Sequence, residues 1–331
     1  TYGPLLRFVH EVSDGTILAA GENRLAKVDA QGDTLFNKVY RTIPTEPYYS
    51  FYPDQDSTAV LDIWSGCPTQ DGHVVLIGGA STSGYDSTFI SYFTGGLALL
   101  KVDAMGDTLW TKMINILDSV HWTNSQQDYI SVYGFDIREN ADSSLVLTGG
   151  YRTVNQSQFV FVKTDRNGNV LHRSNLAANY FYTGRSIQAM GDGNYLAVSE
   201  PDSIHHHFRL LQLNPFGDTI WTKPFALTQV GTGPMIGGGL PKKIRKTSDG
   251  HYIIVGHIRQ PVGPGLSYDI GIAKVDSAGN LLAETSLGGT EGMDGLHDVR
   301  ETANGDFIAV GHYVVDTAIG MQFYITKLNA Q

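Results

Sequence analysis

The feature that most constrains the fold is an internal repeat that returns along nearly the whole chain. Each copy has an alternating apolar strand, a Lys-x-Asp or related triplet, a tight turn ending in glycine, and a second strand that usually carries a central aromatic residue. A fixed internal period of this kind predicts a repeat architecture. The copies read LAKVDAQGDTLFNK from Leu25, LLKVDAMGDTLWTK from Leu99, FVKTDRNGNVLHRS from Phe161, LLQLNPFGDTIWTK from Leu210, IAKVDSAGNLLAET from Ile272 and ITKLNAQ from Ile325.

A second hairpin precedes each copy. Its first strand ends in Asp-Gly, Asn-Gly or an equivalent pair, and a strongly apolar strand follows, as in VSDGTILAAG from Val12, TSDGHYIIVG from Thr247 and TANGDFIAVG from Thr302. These dipeptides between apolar runs are strong hairpin signals because the turn needs positive φ values. Each repeat is therefore a four-stranded antiparallel meander, with strands named A, B, C and D in chain order.

Repeated four-stranded sheets are typical of β-propeller blades, because a small sheet buries both faces only against its neighbours. We therefore predict an all-β protein, a β-propeller of about six blades that forms one domain over residues 1–331. The sequence contains six A–B–C sets but only five complete D strands. The last blade is thus expected to be incomplete or closed by the N-terminus, where Thr1 to Gly3 resemble the tail of a D strand.

The turn between strands C and D is predicted to be structural. Its Asp or Asn accepts local backbone hydrogen bonds and its glycine supplies the positive φ, whereas a calcium loop needs alternating oxygen ligands and a terminal Glu. The aromatic residues of the following D strands are expected to pack between blades. The turn glycines are Gly32, Gly106, Gly168, Gly217 and Gly279, and the aromatic residues are Phe36, Trp110 and Trp221.

Composition and charge exclude several classes of partner. The formal net charge of -10 and the lack of any Lys/Arg run argue against nucleic acid, whose phosphates attract clustered basic side chains. The single cysteine, Cys67, excludes an intrachain disulfide and is predicted to be buried and inert. No apolar run is long enough for a transmembrane segment, and Thr1 to Arg7 lack a targeting pattern, so we expect a chain whose signal peptide has been removed.

The repeat resembles the DGGY and K-x-D-x-x-G-x-x-x-W propellers of secreted Bacteroidota proteins and is similar to delta-60 and SBBP-type repeats. The resemblance covers nearly the whole chain. It implies an extracellular or cell-surface, outer-membrane-associated location, commonly reached by type IX secretion, and no defined activity. Such proteins usually carry a C-terminal sorting domain, which this sequence lacks, as expected for a truncated or matured chain.

A further resemblance concerns Asp-Ser or Asp-Thr followed by an apolar residue or Thr, which looks like the O-glycosylation acceptor motif of the same bacteria. Copies of the motif fall in predicted loops, where an acceptor side chain is accessible. The resemblance therefore implies a glycoprotein. Its candidate acceptors are Ser57, Ser87, Ser119, Ser203 and Thr317.

The repeats of two enzyme families look similar to those of this sequence, but both resemblances are superficial. Quinoprotein propellers use Asp-x-x-x-Gly-x-x-x-Trp, but the Asp–Gly spacing here is one residue shorter. Sialidase Asp boxes run Ser-x-Asp-x-Gly-x-Thr-Trp, whereas the segment from Asp103 to Trp110 has one residue too many between Asp and Gly. No cofactor, metal ion or catalytic residue is predicted, since the sequence has no nucleophile elbow, phosphate loop or zinc signature.

The B–C and D–A connections are long and varied, whereas the A–B and C–D turns are tight. Recognition residues concentrate on loops that a rigid scaffold holds, so the long-loop end of each blade is the expected binding face. Exposed aromatic and neutral polar residues suit carbohydrate or peptide recognition, and the alternative is that the loops bury their own aromatic side chains. The aromatic candidates are Tyr48, Tyr49, Tyr52, Tyr85, Trp122 and Tyr129.

Polar residues are predicted near the mouth of a central channel. Aligning the B strands on their closing glycine places Glu22, Gly79, Gly150, Glu200, His257 and His312 at equivalent positions. Two carboxylates and two histidines could bind a divalent cation or perform acid–base chemistry, but solvated strand ends around a wet channel are the favoured interpretation. His205 to His207 are interpreted as a surface run, because adjacent side chains of an extended chain alternate in direction.

The A strands add charged residues of both signs. Such mixtures usually pair with one another rather than clamp a ligand. The residues are Asp136, Arg138, Lys243, Arg245, Asp298 and Arg300.

These patterns favour a secreted or cell-surface, non-catalytic binding or adhesion module that recognises a glycan or a protein. One alternative is a scaffold subunit of an outer-membrane or secretion-associated complex, which predicts an apolar patch on the rim. Another is a glycan-active hydrolase or lyase that uses Glu22 and Glu200, whose carboxyl groups would then lie roughly 5 to 9.5 Å apart. The fold alone does not choose among these functions.

Overall fold

The structure is a computed structural model that describes residues 7–12, 14–40, 42–44, 58–85, 91–116, 121–123, 131–152, 157–176, 183–200, 208–225, 240–262, 265–288, 294–314 and 321–329. These residues form β-strands and turns, and none of them forms a helix. The described part of the chain accordingly has no helix that could span a membrane. The chain divides into two compact units, Thr1–Ala177 and Ala178–Gln331.

The first unit contains three antiparallel sheets. The first has the order β1 (Phe8–Glu11), β2 (Ile17–Gly21), β3 (Arg24–Val28) and β4 (Thr34–Val39). The second consists of β5 (Thr42–Pro44), β6 (Thr58–Pro68), β7 (Val74–Tyr85), β8 (Ser91–Val102), β9 (Thr108–Asn115) and β10 (His121–Thr123). The third has the order β11 (Ser131–Glu139), β12 (Leu145–Arg152), β13 (Ser157–Thr164) and β14 (Val170–Leu176).

The second sheet has two strands more than predicted. Strands β6, β7 and β8 are 11 or 12 residues long and extend beyond the usual blade. Their extra backbone groups pair with two short strands, β5 against β6 and β10 against β8. Pairing satisfies backbone groups that would otherwise form an open edge, which explains why these connections contain strands.

The second unit also contains three antiparallel sheets. The first has the order β15 (Gly184–Ala189), β16 (Tyr195–Ser199), β17 (Phe208–Leu213) and β18 (Thr219–Phe225). The next has the order β19 (Leu240–Lys246), β20 (Tyr252–Val262), β21 (Gly265–Val275) and β22 (Leu281–Leu287). The last has the order β23 (Gly295–Glu301), β24 (Phe307–Val314) and β25 (Met321–Leu328).

The predicted fold class is confirmed, because the six sheets are successive antiparallel meanders and form the blades of a β-propeller. The last sheet has three strands among the described residues. The prediction that Thr1 to Gly3 close this blade lies outside the described residues. The prediction of a single domain remains a prediction.

The B and C strands are buried because their apolar side chains face neighbouring sheets on both sides. Strand β12 is buried from Leu145 to Tyr151, and Phe159 to Val162 in β13 are inaccessible to solvent. Burying one such side chain contributes about 1.5–3 kcal/mol. The D strands are more exposed, as in β14. The core therefore lies between blades rather than within one.

Aromatic side chains of the D strands pack under the next C–D turn, as predicted. The turn glycine Gly168 has φ +79°, and a Cβ there would lie 3.1 Å from ring atoms of Trp110 in the preceding sheet. The turn thus needs glycine for its backbone conformation and for the approach of the indole. Equivalent contacts join Phe36 to Gly106 and Trp221 to Gly279.

The lysine of the Lys-x-Asp triplet has a structural role. In the second sheet, Lys101 Nζ lies 2.6 Å from a carboxylate oxygen of Asp71 in the A–B turn. Burial raises the pKa of the Asp71 carboxyl, but hydrogen bonds from Lys101 and Thr69 outweigh burial and hold this pKa below its usual range. Three other sheets have the same ion pair, as Lys27–Asp14, Lys163–Asp142 and Lys274–Asp249. In the last sheet Asn304 is at the Asp71 position, and Lys327 pairs with Asp306 at the end of the turn. The fourth sheet has Gln212 at the lysine position.

Candidate functional site

The candidate site is built on a β-bulge that recurs near the start of the A strands. The register shifts between Ile63 and Ser65 in β6, and at the equivalent place in β11, β15, β19 and β23. The extra residue has no partner in the hydrogen-bond ladder, so the bulge changes the direction of its side chain. Arg7 occupies this position in the first sheet, because Phe8 pairs with Ala20 as Ser65 pairs with Ile77. The bulge residues are Arg7, Trp64, Phe135, Arg185, Lys242 and His297.

The bulge explains the glycine that closes most B strands. A Cβ on Gly256 would collide with the carbonyl oxygen of Leu240, and a Cβ on Gly311 with that of Gly295. Both carbonyl groups lie on the A strand immediately before the bulge. The closing glycine therefore accommodates the bulged backbone. The bulge residues lie at the end of each sheet from which the B–C and D–A connections leave.

In the first unit the bulge residues form an aromatic cluster capped by a cation. The Arg7 guanidinium lies 3.7 Å from the centre of the Trp64 ring and donates a 2.6 Å hydrogen bond to Asp62. Trp64 meets Phe135 edge-on at 4.9 Å, and Phe135 stacks on Tyr133 at 5.1 Å. Such contacts contribute about 0.5–1.5 kcal/mol each beyond area burial, so the buried Phe135 ring and its neighbours hold the partly exposed Trp64 in a fixed position.

Glu22 has a structural role in the first unit, because its backbone joins the first sheet to the second. It has a φ of 52° and forms an isolated bridge with Ile63, whose N–H donates to the Glu22 carbonyl. A positive φ is costly for a residue other than glycine, and the bridge to the neighbouring sheet offsets this cost.

In the second unit the bulge position brings three histidines together. His297 Nε2 lies 2.9 Å from His312 Nδ1, and their ring centres are 5.0 Å apart. A Cβ at Gly295 would lie 3.2 Å from His257 Nδ1 and 3.5 Å from His312 Cε1, so this glycine provides the space between the two rings. His257 also contacts Tyr268 edge-on at 4.9 Å.

Cations surround this histidine cluster. Burial lowers the pKa of His257 well below its usual value, and Lys242, Arg185, His297 and His312 lower it further. Burial and Lys242 also lower the pKa of His312. Both rings are therefore neutral at pH 7, and each neutral ring offers one N–H donor and one acceptor nitrogen.

Two further observations define the chemistry of this cluster. The Glu200 carboxylate forms an ion pair with Arg185, the bulge residue of β15. The backbone N–H of Glu200 donates a hydrogen bond to the carbonyl oxygen of Thr183. In the described ranges, no group of three or more His, Cys, Asp or Glu residues has the geometry of a metal site. The arrangement suits hydrogen bonding and charge recognition.

The predicted aromatic candidates are only partly within the described residues. Tyr85 ends β7 and Trp122 lies in β10. The remaining predicted aromatic, histidine-run and glycosylation residues lie outside the described residues. They are Tyr48, Tyr49, Tyr52, Tyr129, His205 to His207, Ser57, Ser87, Ser119, Ser203 and Thr317.

The charged A-strand residues pair with one another. Arg245 donates to both oxygens of Asp298 at 2.7–3.0 Å, and both side chains are buried. Arg138 Nη2 donates to Asp136 at 2.9 Å. The predicted pairing is therefore present for these four residues of β11, β19 and β23, and it is buried, whereas a hydrated channel was expected.

Neither a protein-family model nor a curated protein matches the sequence. The fold is similar to that of a protein of unknown function from Dyadobacter fermentans, with TM-score 0.59, 10% identity, and coverage of 98% of this chain and 93% of that chain. A protein of unknown function from Bacteroides caccae gives TM-score 0.55 and 10% identity over 94% and 89% of the chains. An α-L-arabinanase from Penicillium chrysogenum, complexed with arabinobiose, gives TM-score 0.55 and 12% identity over 97% and 92%. The chain thus shares the β-propeller fold with Bacteroidota proteins of unknown function and with a glycan-active enzyme.

Proposed function

We propose that the protein is a secreted or cell-surface, non-catalytic binding or adhesion module that recognises a glycan or a protein through the long-loop ends of its sheets. The observation that carries the proposal is the repeated A-strand bulge, which places a different side chain at the same point of each sheet. A constant frame with varied side chains is typical of recognition surfaces on repeat proteins.

The chemistry of the bulge residues supports binding. The first unit presents Trp64 beside Arg7, and flat aromatic groups beside a guanidinium bind sugar faces and peptide side chains at low entropic cost. The second unit presents Lys242 near neutral imidazoles, which donate and accept hydrogen bonds. The hydrolase hypothesis has less support, because an arginine engages the Glu200 carboxylate and Glu22 serves the backbone frame.

The cellular location is part of the proposal. The resemblance of the repeats to secreted Bacteroidota propellers supports it, and the fold likeness to Bacteroidota proteins is consistent with it.

A glycan array combined with recovery of bound proteins from source cells tests the proposed function. We expect saturable binding of a glycan or surface protein that Trp64→Ala and Lys242→Ser weaken at least about tenfold, the loss of one hot-spot contact. Phe216→Ala is the matched control, because Phe216 is 61% exposed in a C–D turn at the other end of its sheet.

Three outcomes would contradict the proposal. Turnover of a glycan that Glu200→Gln abolishes would favour the hydrolase. A stoichiometric membrane or secretion partner that both variants still bind would favour the scaffold subunit. Equal effects of the Phe216 and Trp64 substitutions would remove the assigned face.

A further inference from the structure

A groove lies at the tight-turn end of the second unit, between the sheet β15–β18 and the sheet β19–β22. Its volume is about 460 Å³. One wall is formed by the A–B turn around Asp192 together with Gln212 and Trp221, and the other by Tyr252 and the C–D turn at Ser277. The groove is at the opposite end of these sheets from the A-strand bulges.

The equivalent place in the first unit is filled by cations of the protein itself. Asp71 lies 2.6 Å from Lys101 of its own sheet and 3.5 Å from Arg166 in the next C–D turn. The hydroxyl of Thr69 donates a third hydrogen bond to Asp71, at 2.6 Å. An aliphatic ammonium group in this position is therefore a normal part of the repeat.

None of these three partners is present around Asp192. Gln212 pairs with Leu196 and Trp221, as Lys101 pairs with Val75 and Trp110. Ser277 stands at the turn position of Arg166, and Met190 at the position of Thr69. Among the described residues, the Asp192 carboxylate accepts hydrogen bonds only from Asn194, at 3.0 and 2.8 Å.

We propose that this groove binds the side chain of a lysine from a partner peptide, with its ammonium group on the exposed Asp192 and its methylene groups against the partly exposed Trp221. The ligand would take the place that Lys101 takes between the second and third sheets. The apolar wall suits the aliphatic stem, and the carboxylate with its free oxygen positions suits the charged end. The proposal is independent of the proposed function, which concerns the other end of the sheets.

The surroundings of Asp192 agree with this assignment. Asp192 and Tyr252 both line the groove. Burial raises the pKa of the Tyr252 hydroxyl, and the Asp192 charge raises it further. The net charge of -10 also favours a cationic partner.

Lys246 is the one cation among the groove residues. Its ammonium nitrogen lies 3.8 Å from the position of a Cβ on Gly191, and no ion pair joins it to Asp192 within the described residues. It stands where β11 has Glu139, which accepts a hydrogen bond from Gln70 in the preceding A–B turn. Lys246 therefore opposes a cationic ligand, and its removal is expected to strengthen binding.

The test titrates the whole protein with the peptide acetyl-Gly-Lys-Gly-amide and follows the Trp221 indole N–H by NMR. The control peptide carries Nε-acetyl-lysine, which keeps the stem and removes the charge. We expect the lysine peptide to bind and the acetylated peptide to bind at least about tenfold more weakly, since a charged hydrogen bond to a carboxylate is lost. Lys246→Ala is expected to bind the lysine peptide more tightly.

Matched variants locate the effect. Asp192→Asn and Gln212→Lys should each weaken binding at least about tenfold, the first by removing the charge and the second by filling the groove. Asp71→Asn is the control, because Lys101 already occupies that carboxylate at 2.6 Å and neither residue lines the groove, and it should leave binding unchanged.

The proposal is overturned by any of four results. The first is no change in the Trp221 indole N–H chemical shift with lysine peptide on the order of 10 mM, and the second is equal affinity for the acetylated and the lysine peptide. The third is unchanged affinity of the Asp192→Asn variant for the lysine peptide, and the fourth is weaker affinity of the Lys246→Ala variant. The last result would instead indicate a ligand that carries an acidic or neutral polar group.

Discussion

A buried ion pair joins two A strands of the second unit. Arg245 in β19 and Asp298 in β23 are 7% and 3% exposed at the side chain and share a two-nitrogen ion pair. Desolvation makes each charge costly alone, so the pair specifies which strand lies beside which more than it adds stability. The sequence predicted that charged A-strand residues pair with one another, because they carry both signs, but it did not predict which residues pair or that the pair is buried.

Asp298→Ala is expected to destabilise the protein by about 3–5 kcal/mol, because it leaves the Arg245 guanidinium buried without its carboxylate. The double variant Arg245→Met/Asp298→Leu should recover much of this loss. Urea unfolding of the three proteins measures both effects. A double variant as unstable as the single one would show that the pair itself supplies the stability.

Cys67 is expected to resist thiol reagents in the folded protein. It is 7% exposed, burial raises the pKa of its thiol, and the thiolate is the reactive form. Mass spectrometry after maleimide treatment should find no label natively and complete labelling in denaturant. Rapid native labelling would mean that β6 opens readily at this position.

Strands and turns were predictable because their signals are local. Asp-Gly and Asn-Gly pairs marked the A–B turns, and the glycine of the C–D turn marked the next hairpin, where positive φ values are found at Gly15, Gly168 and Gly279. The bulge was not predictable, since it depends on how two strands pair and not on either strand alone. His297 was therefore missed, although its partners His257 and His312 were singled out from the alignment of closing glycines.

The histidine cluster is expected to make stability fall in mild acid. The folded-state pKa of His257 lies below its unfolded value of about 6.5, so its stabilising effect is complete above that pH and is lost as the pH falls. The free energy of unfolding should decrease by up to about 1.4 kcal/mol per pH unit below pH 6.5 for this group, with a smaller share from His312.

Urea unfolding at a series of pH values tests this dependence. His257→Gln stays neutral throughout and should flatten the profile between about pH 6.5 and 5. A wild-type profile that is flat, or that rises toward acid, would contradict the assigned burial.

Among the described residues, local contacts recur from sheet to sheet: a turn glycine lies beneath an aromatic ring at three sheet boundaries, and a lysine pairs with a turn carboxylate in five of the six sheets. In repeat proteins, stability is approximately a sum of unit terms and nearest-neighbour terms. The identity of a ligand does not follow from such contacts, because the same frame serves unrelated functions. It depends on the residues that depart from the repeat.

We expect thermal unfolding in one cooperative transition, as for a single domain. Trp64, Trp110 and Trp122 report on the first unit and Trp221 on the second. Fluorescence of the wild type and of Trp221→Phe, with calorimetry as an independent probe, should give coincident midpoints. Two separated transitions would show that the two units are separate domains.

The A-strand bulge has a consequence for protein engineering. A residue without a cross-strand partner can be exchanged without breaking the hydrogen-bond ladder of its sheet, and the bulge positions offer such a residue in successive blades. A combinatorial library restricted to Trp64, Lys242 and His297 would vary partly exposed side chains while the scaffold is kept. The chain is in this respect a scaffold on which single side chains can be varied one blade at a time.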